Sequence, residues 1–388
     1  MAIANAMSNP FDRLSLERLR RRRSEKWARY PNDVLPAFVA EMDFPLAEPI
    51  REALHEAVDL GDTGYAHPNR IADAFAEFAR SWFDWSVDPG RVVMVPDVMV
   101  GAAEVIRLVT KPRERVVIDT PAYPPFWKTL REYEREVIEV PLLRTSAGWD
   151  LDLARTERAF AAGARAYLFC NPHNPTGRVF PRDRLERIAE LAERYDVVVV
   201  ADEIHGLLTL RGAVHVPFVS LGDRAARRAV TVTSASKAWN VAGLKCALLV
   251  AGSDEMRATL ASLPSGLLDR AGHFGVIAGI AAFRHGAPWL RAALEQLDRN
   301  RRLLSELLAD GLPAVRYVPP QAGYLAWLDC APLGLGPDPA AVFLERGRVA
   351  VNRGLDFGDV GAGFVRVNMG TSTEILTEVV SRMSAAVK

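Results

Sequence analysis

Between about residue 90 and residue 252 the chain alternates short apolar, β-branched runs with amphipathic stretches of helical period. The runs are Val92 to Val95, Arg115 to Asp119, Ala166 to Cys170, Val197 to Ala201, Ala229 to Thr233 and Cys246 to Ala251. They lack polar alternation, so each predicts a strand covered on both faces, and Leu185, Ile188, Leu191 and Tyr195 carry the helical spacing between two of them. Such a pattern predicts an α/β domain with a largely parallel sheet. Further on, Leu290, Leu294, Leu297, Leu304 and Leu308 follow a 3.6-residue period and predict a long helix that Gly311 and Pro313 end. Strands at Tyr324 to Asp329 and Phe364 to Asn368 then predict a smaller α+β domain, with the long helix as a hinge. A length of 388 residues exceeds what one core usually organises. The expected division is an N-terminal segment 1–50 joining the small domain, a large domain 51–288 and a small domain 289–388.

Composition narrows the class of partner. Lys+Arg and Asp+Glu are both 48, so no net field favours nucleic acid or an anionic membrane. Arg18 and Arg20 to Arg23, flanked by Glu17 and Glu25, read as a solvated helix face. Met1 to Phe11 lacks the basic and apolar halves of a signal peptide. The most apolar stretch, Gly275 to Phe283, falls short of the ~20 residues that cross a bilayer. Cys170, Cys246 and Cys330 are too far apart for a clustered metal motif and read as buried thiols of a reducing compartment. The histidines lack metal-like spacing, Trp82, Trp85, Trp149 and Trp289 read as core or interface anchors, and a cytoplasmic protein is expected.

Ligands of such sheets bind beyond the carboxyl ends of the strands. Asp97 to Gly101, Thr120 to Tyr123, Asn171 to Gly177, Asp202 to His205 and Ser234 to Lys237 all follow predicted strands there. Lys237 lies among small residues after an apolar run. It is either an ordinary surface lysine or an amine whose burial lowers its pKa and makes it a nucleophile toward an aldehyde. Asp202 ends a buried strand and needs a cationic or hydrogen-bonding partner. Asn171-Pro-His-Asn-Pro-Thr-Gly177 is a rigid turn, or a mount that fixes the Asn174 amide, with His173 facing solvent. Ser234, Ser236 and Lys245 offer hydroxyls and a cation for a phosphate.

As a set, these residues resemble the pyridoxal-phosphate enzymes of the aspartate aminotransferase superfamily, fold type I. The likeness runs in order through Tyr65, Tyr123, Asn174 to Gly177, Asp202, Ser234 to Lys237 and Arg366. It implies a mostly parallel seven-stranded sheet between helices and pyridoxal 5'-phosphate as cofactor. By the same likeness, Lys237 forms the Schiff base, Asp202 partners the pyridine nitrogen, Tyr123 stacks on the ring and Asn174 bonds its phenolic oxygen. Ser234, Ser236, Lys245 and the backbone at Val98 and Met99 match phosphate positions. Arg366 matches the grip on the substrate α-carboxylate, and Tyr65 matches a residue that reaches the neighbouring subunit's phosphate, which implies a homodimer with a shared site.

Departures from the aminotransferase pattern point to a branch. His205 in Asp202-Glu-Ile-His205 replaces the usual tyrosine near the ring oxygen. With Val39 to Pro45, Gln321 to Leu328 and Gly286 to Trp289, this resembles the cystathionine β-lyase-like C–S lyases. The activity implied is β-elimination of L-cysteine S-conjugates such as L-cystathionine to thiol, pyruvate and ammonia. An aminotransferase, a biosynthetic enzyme that decarboxylates or oxidatively deaminates a modified cysteine, and a cofactor-binding regulatory protein remain alternatives. Lys245 stands where arginine is usual, which weakens bidentate phosphate geometry, and Arg353 stands where proline is common, a change expected to bear on substrate preference.

Overall fold

The computed structural model describes residue 11 and residues 15–146 and 148–388; the reading of Met1 to Phe11 as no signal peptide lies, but for Phe11, outside them. The main sheet has seven strands: β1 (Val92–Val95), β2 (Arg115–Thr120), β3 (Glu136–Pro141), β4 (Ala164–Cys170), β5 (Val198–Asp202), β6 (Ala229–Thr233) and β7 (Ala247–Ala251). Their order is β1-β7-β6-β5-β4-β2-β3. All run parallel except β7, which is antiparallel to both neighbours.

The unbroken apolar runs arise because successive side chains enter different cores. Val198 and Val200 join the cluster built on Val98, Ala102, Val105 and Ile106 of the helix Val98–Val109. Val199 and Ala201 join the opposite cluster with Leu185, Ile188 and Leu191 of the helix Arg182–Tyr195. The sequence did not announce β3. It is an edge strand paired with β2 alone, and its exposed Glu136 and Glu139 interrupt the apolar pattern.

The long helix is Ala287–Gly311, 25 residues and so about 37 Å, packed along the C-terminal helix Thr373–Ala386. A second, antiparallel sheet of four strands lies beyond it in sequence: β8 (Arg316–Tyr317), β9 (Leu325–Asp329), β10 (Asn352–Arg353) and β11 (Phe364–Asn368), ordered β8-β9-β11-β10. Gly177, at φ +66°, lets the turn after β4 press against Pro320, where any Cβ would lie 2.3 Å from the proline Cβ.

Residues 37–44 form a strap between the two sheets. The Asn240 amide brackets Met42, accepting from its N–H at 2.8 Å and donating to its carbonyl at 2.7 Å. From β11, Asn368 donates to the carbonyls of Val39 and Glu41 at 2.8 and 2.7 Å. Asp43 is buried with Lys26 at 2.8 Å and the Trp27 indole N–H at 2.9 Å. The arginine run corrects one expectation: Arg18, Arg20, Arg21 and Arg23 are exposed, but Arg22 is half-buried and donates to the Asp43 carbonyl at 2.9 Å.

Replacing Asp43 by alanine would leave the Lys26 ammonium and the Trp27 N–H unpaired in a dry site. Asp43→Ala is expected to lower unfolding free energy by about 3–5 kcal/mol, read as a reduced denaturant midpoint at unchanged slope. A midpoint equal to that of the parent chain would remove the clamp from the stability argument.

Candidate active site

A solvent-open cleft of about 220 Å³ lies at the carboxyl edge of the main sheet, and Val98, Met99, Tyr123, Asn174, Asp202, His205, Ser234, Ser236, Lys237 and Lys245 all line it. Lys237 sits on the short helix Ala235–Ala238 after β6. Its amine donates to the Ala40 carbonyl of the strap at 2.9 Å, and the Tyr324 hydroxyl donates to the same oxygen at 3.0 Å. Burial, and next the nearby Arg366 cation, pull the Lys237 pKa down to about 8, against opposing pulls from Glu41 and Asp202. Asp202 ends β5 and is buried, accepting from the Ile204 N–H at 3.2 Å. Burial raises its pKa to about 6, opposed by that N–H and by Lys237.

Arg366 on β11 is buried beside Asn174, to whose amide oxygen it donates at 2.9 Å. The Phe357 ring lies 4.8 Å from the guanidinium. Burial lowers the arginine pKa to about 10. With its oxygen turned to Arg366, Asn174 keeps its NH₂ for another partner. Tyr123 is partly buried at the cleft wall, its hydroxyl pKa raised first by burial.

Val98 and Met99 open the helix that Asp97 caps by accepting from the Val100 N–H at 2.9 Å. The first N–H groups of a helix lack intrahelical partners and favour anions. Lys245 reaches the other Asp97 oxygen at 3.2 Å. Ser234 donates its hydroxyl proton to the Cys246 carbonyl at 2.6 Å and accepts from the Ser236 N–H at 3.0 Å. It caps the lysine-bearing helix, so Ser236 is the less committed hydroxyl.

Two readings change. His173 does not face solvent; it is buried and bonds Thr176 Oγ1 at 2.9 Å inside its own turn, and burial lowers its pKa to about 3. Arg353 stays outside the cleft, exposed and paired with Asp338 at 2.8 Å. His205 lines the cleft as a buried imidazole, its pKa lowered to about 3 by burial and then by Lys237 and Arg366, and among the described residues its Nδ1 has no hydrogen-bond partner. Tyr65 is 92% exposed and outside the cleft of its own chain.

Sequence reasoning missed Ala40, Tyr324, Asn352 and Asn368. Asn368 could have been found, because it lies two residues after Arg366 on one strand and so on the same face. A backbone carbonyl such as that of Ala40 carries no residue-type signal.

The chain matches the family model for aminotransferase class I and II over residues 39–383, and it belongs to that family. A Mycobacterium leprae protein named "Putative cystathionine beta-lyase" is 44% identical, with 98% of each chain covered. The Bacillus subtilis cystathionine beta-lyase PatB is 34% identical, over 91% of this chain and 92% of the relative. Among solved structures, a "putative plp-dependent beta-cystathionase" of Corynebacterium diphtheriae superposes with a TM-score of 0.92 at 36% identity, covering 96% of this chain and 98% of the other. The seven-stranded α/β architecture is that of fold type I.

A lowered pKa means that the neutral Lys237 amine accumulates as pH rises through about 8, not 10.5. Labelling of Lys237 in the cofactor-free protein with trinitrobenzenesulfonate, followed by peptide mass, is expected to show that midpoint. Asp202→Asn removes an anion that favours the ammonium, so the midpoint should move lower still; an upward move contradicts the assigned electrostatics.

Proposed function

We infer that the chain is a pyridoxal-phosphate-dependent C–S β-lyase that converts L-cysteine S-conjugates such as L-cystathionine to thiol, pyruvate and ammonia. The observation that carries this reading is one cleft lined by Lys237, Asp202 and Asn174, with the Arg366 guanidinium hydrogen-bonded to Asn174 at 2.9 Å. The cystathionine β-lyase names of the relatives support the branch.

The residues present fit the cofactor. Asp202 is a buried carboxylate raised to about 6, and a protonated pyridine nitrogen is the partner such a group needs. Ser236, Lys245 and the N–H groups of Val98 and Met99 would hold the phosphate. The Asn174 NH₂ and the neutral His205 imidazole would face the ring oxygen, and Tyr123 would cover the ring. When bound, the cofactor supplies an electron sink for the charge left at Cα.

The chain's own residues do the rest. Arg366 binds the α-carboxylate and, with Asn174, fixes its direction. Lys237, with a pKa of about 8, is close enough to neutral at physiological pH to accept the Cα proton and return it to a leaving thiolate. The Ala40 carbonyl keeps the amine in the cleft through its hydrogen bond. The Asp202 charge on the cleft floor favours a protonated ring throughout.

The homodimer belongs to the same proposal. Tyr65 projects from a surface where Val58 and Leu60 are also exposed and, among the described residues, no atom would lie within 4 Å of a Cβ at Gly61 or Gly64. A second copy would cover this apolar patch and place its Tyr65 at the phosphate. The division at 51–288 and 289–388 and a cytoplasmic location are proposed with it. Support comes from the separate sheets and from three free cysteines; among the described residues no helix is long and apolar enough to cross a membrane.

The purified holoenzyme is expected to release pyruvate and homocysteine from L-cystathionine without an added keto-acid acceptor, and Asp202→Asn to lower kcat by about 10²–10³-fold. Turnover only in the presence of an acceptor would make the protein an aminotransferase. For the shared site, Lys237→Ala and Tyr65→Ala chains, each of low activity, should regain activity when refolded together; mixtures no better than their components would argue for self-contained sites.

A further inference from the structure

Asn352 and Arg366 stand directly opposite each other in the ladder between β10 and β11. Opposed residues share a face of the sheet, so Asn352 turns to the Arg366 side and its neighbour Arg353 turns away, to Asp338. The Asn352 amide oxygen accepts from Arg366 Nε at 3.2 Å and from Nη2 at 2.7 Å, while the Asn174 oxygen accepts from Nη1 at 2.9 Å. The guanidinium carries a fixed fork of N–H donors. After these bonds one N–H remains on each terminal nitrogen, a pair that a carboxylate can take with two oxygens.

Both acceptors are neutral amides. Among the described residues no carboxylate pairs with Arg366. Asp356, whose field reaches Arg366, lies 3.8 Å from Arg353. Arg366 is therefore aimed by hydrogen bonds and left with its charge uncompensated. An aspartate at 352 would aim it equally well and cancel that charge.

We propose that Asn352 is a positioning residue that sets affinity for the substrate α-carboxylate, orienting Arg366 through a neutral oxygen so that the ligand supplies the compensating charge. The proposal rests on the reading of Arg366 as the carboxylate grip. It assigns specificity for amino acids over simple amines to the amide at 352.

The test titrates the holoenzyme with L-alanine and with ethylamine, which differ by the carboxylate, and follows the visible band of the bound cofactor. Asn352→Asp, nearly the same shape, is expected to weaken L-alanine binding at least about tenfold and leave ethylamine within about twofold. Asn352→Ala, which lets the guanidinium swing, should show the same selective loss. With L-cystathionine the loss should fall on KM more than on kcat. If Asn352→Asp binds L-alanine like the parent, or if both probes weaken together in both variants, the proposal is overturned. If the parent itself does not prefer L-alanine to ethylamine, the carboxylate grip at Arg366 fails and the proposal with it. Pyruvate release from cystathionine is a separate outcome, so the lyase reading stands or falls independently.

Discussion

Lys237 and Asp202 line one cleft, Arg366 is buried beside it against Asn174, and fixed dipoles of the fold hold all three. Burial moves each group toward its neutral form: Lys237 down to about 8, Arg366 down to about 10, Asp202 up to about 6. Taking such groups out of water is costly unless oriented dipoles replace the water. For Lys237 the replacement is the Ala40 carbonyl; for Arg366, two amide oxygens; for Asp202, the Ile204 N–H. Only a fold that fixes those dipoles can hold the charges. The strap, tied by Asn240 on one side and Asn368 on the other, sets the Ala40 carbonyl against Lys237. An anionic ligand then finds charge that the protein has oriented but not neutralised.

Sheet direction explains why Lys245 also stands at this edge. A parallel strand delivers to the carboxyl edge only the residues on its C-terminal side. β7 runs the other way, so the residues on its N-terminal side arrive at the same edge. Its register pairs Ala247 with Val95 and Leu248 with Thr233. Extended past the ladder, that register sets Lys245 across from Asp97 on one side and from Ser236 on the other. The observed Lys245–Asp97 pair at 3.2 Å and the Ser234 bond to the Cys246 carbonyl fit this extension. One reversed strand thus brings Lys245 beside the residues that end β1 and β6.

The central strands were legible because burial on both faces leaves a continuous apolar run, and most cleft residues were legible because they come immediately after those runs. β3 was not, since an edge strand with one neighbour tolerates Glu136 and Glu139. His173 was misread because a polar residue in a Pro- and Gly-containing turn looks solvent-facing. In fact the turn is pressed under the second sheet through Gly177, and the imidazole is enclosed with Thr176. Asn352 had no signal at all: it belongs to a strand of two residues, too short for any period, and its meaning comes only from the residue opposite. Arg353 drew notice as a departure from proline, yet strand alternation turns it outward.

The same alternation sorts two adjacent acids. Asp202 enters the cleft, and Glu203 turns into the core beneath it, accepting from the Phe218 N–H at 2.6 Å and the Thr231 hydroxyl at 3.2 Å. Burial raises Glu203 to about 8 and lowers His215, 3.9 Å away, to about 3. Burial thus disfavours the charged form of each, as it does for His205 and His173. Asp202 remains the acid that lines the cleft, the cost of its burial offset by the Ile204 N–H and by Lys237.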